Sequence, residues 1–178
     1  MFFPESTARR LNGAGVILLL LGAWGALVPF VGPSFGYDMG GGSAWTWSES
    51  HATLHLAPGV AAILGGLFLM FGKERTAQRF GAGVAAVAGI WFVVGPSLHP
   101  LWAGQSVGGT MDMGGTAWSS ALSALGYHYG TGAAISVVAA YAVGVLAVSR
   151  GIASDSFPAA SRHDRHPAAE SSLAGSGR

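Results

Sequence analysis

The sequence predicts an all-α membrane protein: four transmembrane helices built as two tandem helical hairpins of the same orientation, related by a pseudo-two-fold axis. Three observations predict it. The 178 residues are 51% hydrophobic and 10% charged, with a mean hydropathy of +0.46, too apolar for a soluble domain of this size. Four apolar segments, 11–35, 53–72, 80–101 and 121–149, each reach the roughly 20 helical residues needed to cross a hydrocarbon core about 30 Å thick. Third, the chain repeats itself: Gly22-Ala23-Trp24-x₄-Pro29-x₃-Pro33-x-Phe35 recurs as Gly89-Ile90-Trp91-x₄-Pro96-x₃-Pro100-x-Trp102.

The duplication runs on through both halves. Asp38-Met39-Gly40-Gly41 answers to Asp112-Met113-Gly114-Gly115, Trp45 to Trp118, and His55-x₃-Gly59 to His128-x₃-Gly132. In each half the Trp precedes the His by ten residues. The repeating unit is therefore one helical hairpin, used twice: 11–72 with an outer loop at 36–52, and 80–149 with an outer loop at 103–120.

Taken in order, residues 1–10 form a cytoplasmic N-terminus. The first span follows Arg9-Arg10 like a signal peptide, but it carries the Trp and Pro pattern of the third span and is expected to be retained. Pro29/Pro33 and Pro96/Pro100 remove backbone donors near the outer ends of the first and third helices, which should kink or stop there. Residues 73–79 form a cytoplasmic loop, and 150–178, rich in Ser, Ala, Pro, Arg and His, read as a disordered cytoplasmic tail.

Charge sets the orientation. All nine Lys and Arg residues fall at the N-terminus, in the 73–79 loop or from Arg150 onward, so the positive-inside rule places both termini in the cytoplasm. A net charge of +1 confined to short loops gives no sign of nucleic-acid binding; the expected partner is the lipid bilayer. Two parallel hairpins argue against the inverted repeats of many secondary transporters, which leaves a small transporter or channel as the third functional reading.

Small residues form stripes on the second helix (Gly59, Ala62, Gly66) and the fourth (Gly132, Ser136, Ala140, Gly144). Such faces let helices approach closely in lipid and would also serve a homo-oligomer or a membrane-complex partner. His55 and His128 stand one turn before their stripes and should face the bundle interior. Counted from Lys73 and Arg150, they lie roughly 27 and 33 Å above the inner boundary at 1.5 Å per residue.

Intramembrane histidines are candidate functional residues. Each could hydrogen-bond across the helices, with Tyr127 and Tyr129 beside His128. Alternatively the symmetry brings His55 and His128 together as ligands of haem iron or of a metal. His51, one turn before His55, and His99, beside the second proline motif, could assist, and Met111, Asp112 and Met113 in the outer loop would suit copper, preferably as Cu(I). With no cysteine in the chain, any haem would be non-covalent. No catalytic constellation is evident, and the spans hold no carboxylate for a proton path. The tryptophans Trp45, Trp47, Trp102 and Trp118 fit an interfacial aromatic belt.

The pattern Gly-x-Trp-x₄-Pro, followed by a second helix that opens Trp-x₉-His and runs into small residues, resembles the SPW-repeat family of small bacterial membrane proteins. Over roughly residues 11–149 the signature positions read Val28-Pro29-Phe30 and Gly95-Pro96-Ser97. The resemblance implies two-helix repeats in a bacterial inner membrane and carries over no catalytic residue. The first functional expectation is accordingly a non-enzymatic structural or accessory module.

Overall fold

The computed structural model describes residues 5–37, 43–103 and 117–155, and no strand occurs among them. In chain order the helices are α1 (Glu5–Val31), α2 (Glu49–His51), α3 (Ala57–Phe71), α4 (Arg75–Leu98), α5 (Pro100–Ala103), α6 (Ala117–Ala124) and α7 (Gly130–Asp155). A π-helical turn, Ala52–Leu56, joins α2 to α3, and a second, Leu125–Tyr129, joins α6 to α7. Four stretches are long and apolar enough to cross a membrane: Glu5–Phe35, Glu49–Phe71, Arg75–Leu98 and Ala121–Val148.

The paired prolines end their helices as their chemistry requires. Pro29 is tolerated inside α1, but Pro33 lies in a 3₁₀ turn, Gly32–Phe35, which Gly36 closes at a left-handed φ of 74°. Pro96 likewise lies inside α4, and Pro100 opens the separate turn α5. Each first proline loses one backbone bond, and the second stops the helix.

The four long helices form a ring, α1 on α3, α3 on α4, α4 on α7 and α7 back on α1. Its core is alanine-rich: Ala14, Ala62, Ala82, Ala85, Ala88, Ala139 and Ala142 are buried with Leu11, Leu18, Leu69, Phe92, Ile135 and Leu146. The outside is equally apolar, with Leu20, Leu64, Val87 and Val137 exposed. Hydrocarbon on both faces of a helix is stable only where lipid replaces water. The ring is a bundle built for a bilayer.

Glycine sets how closely it closes. A Cβ on Gly22 would lie 2.7 Å from the Gly59 carbonyl oxygen, and one on Gly59 2.7 Å from that of Gly22. Gly89 and Gly132 repeat the arrangement at 2.8 and 2.7 Å, so matched positions of the two repeats make matched contacts. On α3 the expected stripe is buried throughout, at Gly59, Ala62 and Gly66. On α7 it is not: Gly132 packs on α4, Ser136 touches Gly89, but Ala140 and Gly144 are exposed. A row spaced by four drifts about 40° around the helix at each step, whereas the buried row Ile135, Ala139, Ala142 and Leu146 alternates spacings of four and three and stays on one face.

This packing sets an expectation for stability. Gly132→Val drives a side chain into the Gly89 carbonyl, which cannot yield, and should cost about 1–3 kcal/mol. Gly144→Val meets open space and should stay within about 0.5 kcal/mol of the parent. Thermal unfolding in detergent compares the two directly.

Candidate functional site

A π-helical turn adds one residue to the helix and strands a backbone carbonyl, and here the stranding has a local cause. The Ala57 N–H donates to Ala52 O across the turn, so the next donor in line for Thr53 O is residue 58, a proline with no N–H. Thr53 O instead accepts from the indole Nε1–H of Trp91 at 2.9 Å. In the second repeat the Gly130 N–H donates to Leu125 O, and Gly126 O accepts from Trp24 Nε1–H at 3.0 Å. Thr131, which stands where Pro58 does, adds its hydroxyl to the same carbonyl at 2.6 Å.

The exchange is reciprocal. Trp24 of the first repeat donates to the turn of the second, and Trp91 of the second donates to the turn of the first. An orphaned carbonyl in an apolar environment costs several kcal/mol, so the repeated tryptophans tie the two hairpins to one another. The repetition of Trp24 and Trp91 is visible in the sequence, but which carbonyl each one reaches is not.

The two histidines occupy the same fourth position of their turns, 52–56 and 125–129. Both are buried, each with 4% of its surface exposed. Their ring centroids lie 4.4 Å apart, with the planes at 37°. His55 Nδ1 lies 3.3 Å from Gly25 O, where the donor geometry calls for its Nδ1–H tautomer and leaves Nε2 with the lone pair. His128 Nδ1 is buried with no hydrogen-bond partner.

Aromatic rings wall the pair in. Tyr127 meets His55 edge-on at 5.6 Å and Phe92 does so at 6.2 Å. The Phe92 ring fills the space over Gly25, its Cζ 2.5 Å from where a Cβ would sit. Tyr127 donates its hydroxyl to Tyr37 O at 2.7 Å, with Val28 O at 3.3 Å, and Tyr37 donates to Leu122 O at 2.9 Å. Burial holds the Tyr37 phenol above its ordinary pKa, against an opposing contact with the Gly126 backbone.

The remaining sequence candidates divide. His51 adjoins His55, with centroids 6.2 Å apart, but its Nδ1 faces Thr46 O at 2.9 Å on the rim. His99 is buried at the end of α4 against Trp102, its Nε2 without a partner, and among the described residues no ring contact joins it to the pair. Met111, Asp112 and Met113 lie outside the described residues, as does the tail beyond 155. Trp45 and Trp118 are exposed, and the Trp45 backbone N–H donates to Phe30 O at 3.0 Å. Among the described residues no group of three or more His, Asp or Glu surrounds a common point.

Comparison of the chain with protein-family models, with curated proteins and with solved structures gives no match. The site has to be read from its own chemistry.

The reciprocal bonds predict an asymmetric response. Trp91→Phe leaves Thr53 O without its indole donor and should cost about 1–2 kcal/mol. Trp24→Phe leaves Gly126 O with Thr131 and should cost less; thermal unfolding of the two variants checks the order. Tyr37 gives a third test. A phenol whose pKa is raised on folding contributes stability below its unfolded value of 10.0, and loses it as pH rises through the folded pKa. Wild type should therefore lose stability above about pH 10 more steeply than Tyr37→Phe.

Proposed function

We propose that the chain is a non-enzymatic structural or accessory module of a bacterial inner membrane, with both termini cytoplasmic and its two repeats related by a pseudo-two-fold axis, as in the SPW-repeat proteins it resembles. The observation that carries this reading is the interlock. Trp24, Trp91, Tyr37, Tyr127 and Thr131 all donate to backbone carbonyls of the bundle itself. These polar groups serve closure of the fold, and among the described residues none of them is arranged as an activated nucleophile with its base. The axis is supported by the matched glycine contacts and the exchanged indole bonds. Orientation rests on the distribution of Lys and Arg.

The histidine pair fits this reading as a packed contact. Haem ligation from opposite faces, with metal–nitrogen bonds of about 2 Å, sets imidazole centroids about 6 Å apart; at 4.4 Å no porphyrin fits between them. A second reading rests on one atom, His128 Nδ1, since a buried nitrogen without a partner is a place for a ligand. Two imidazoles without a third ligand suit a soft monovalent ion such as Cu(I). Sharing it requires the rings to turn and to move apart, because a linear two-coordinate ion with bonds of about 2 Å also sets the centroids about 6 Å apart, against 4.4 Å here.

Elemental analysis with an absorption spectrum separates the readings, on wild type and on the His55→Ala/His128→Ala double variant after copper or haem supplementation. A module gives colourless protein whose metal content the double variant does not change. Stoichiometric copper lost by the variant establishes the second reading, and a Soret band lost by it overturns both.

A further inference from the structure

The face between α3 and α4 is not closed. A groove of about 710 Å³ runs there, lined on one side by Thr53, Ala57, Pro58 and Ala61 and on the other by Phe80, Gly83, Val84, Val87, Ala88 and Trp91. Small residues make its walls. Gly83 is exposed, and a Cβ there would meet nothing within 4 Å. The bond between Trp91 Nε1 and Thr53 O closes the upper end, and Phe80, edge-on to Phe68 at 5.5 Å, marks the lower.

Two observations identify an occupant. The first is length and place. From Phe80 to Trp91 the groove covers about 16 Å at 1.5 Å per residue, close to half of a hydrocarbon core about 30 Å thick, which is the reach of one leaflet's acyl chains. The second is charge. Arg79 precedes Gly83 by one turn of α4, on the face that lines the groove, and Lys73, exposed beside Glu74 in the α3–α4 turn, lies at the same end of the bundle. A hydrocarbon channel with cations at one end matches a molecule with an apolar tail and an anionic head.

We propose that this groove seats an acyl chain of one anionic phospholipid, whose headgroup is held by Lys73 and Arg79. The groove lies at the α3–α4 seam between the two repeats, and the matching seam between α7 and α1 lacks its key residues. Counted from the matched tryptophans Trp24 and Trp91, Asn12 stands in the first repeat where Arg79 stands in the second, and Val16 where Gly83 does. The stoichiometry is therefore one lipid per chain.

The test uses the full chain, released from vesicles of equal phosphatidylglycerol and phosphatidylcholine with identical acyl chains, and native mass spectrometry to read the retained lipid. Wild type should keep a single phosphatidylglycerol, favoured over phosphatidylcholine by about tenfold or more, since each basic side chain contributes about 1 kcal/mol. Lys73→Gln with Arg79→Gln should bring that preference close to unity. Gly83→Leu should fill the groove and lower retention of both lipids about tenfold, with no loss of thermal stability because its side chain enters open space. Equal retention of the two lipids by wild type, or retention unchanged in Gly83→Leu, overturns the proposal. So does a lipid-free dimer that Gly83→Leu splits, which would give the groove to a second copy.

Discussion

A backbone carbonyl released from a helix and packed against apolar neighbours must find a donor within the protein. That requirement organises one end of this bundle. Each π-helical turn releases a carbonyl, and each is met by an indole from the other repeat. The bonds lie beyond the core, in which seven alanines alternate with six larger apolar side chains. Alanine and glycine bring the helices close, but small side chains specify rotation and register weakly. The tryptophans supply that specification through directional bonds.

The histidine pair arises from the same turns. An inserted residue rotates the rest of its helix by about 100°, and both insertions fall just before the small-residue stripes. Because the turns sit at matched positions, their histidines enter the bundle at one level and meet. The aromatic wall around them, Tyr127 and Phe92, limits the pair's room. Tyr127 links it to the segment after α1 by donating to Tyr37 O, so the site, the turn at 32–37 and the repeat interlock form one connected network.

Much of this was legible in the chain. Apolar length located the four spans to within several residues, and the doubled prolines located two helix ends, because each is a local chemical constraint. Burial of His55 and His128 followed from their place one turn before glycines. The pairing of the repeats was less legible. Trp24 and Trp91 carry no local mark of their partners, since those depend on how far two helices rotate against each other. The α7 stripe misled in its lower half for a related reason: spacing by four resembles a face over two turns and leaves it over four. Pro58 was the overlooked signal, a missing donor five residues after Thr53.

Gly25 and Phe92 occupy matched positions of the two repeats, and the ring of one fills the place a side chain on the other would take. Identical halves could not do this. Two phenylalanines would collide, and two glycines would leave a void beside the histidines. A dimer of identical hairpins would have to choose between those defects, whereas joining the hairpins in one chain lets each copy drift to a complementary shape. The covalent tandem thus frees the centre of the bundle from the obligation to be symmetric, and the departure from strict repetition is part of what makes the duplicated fold close.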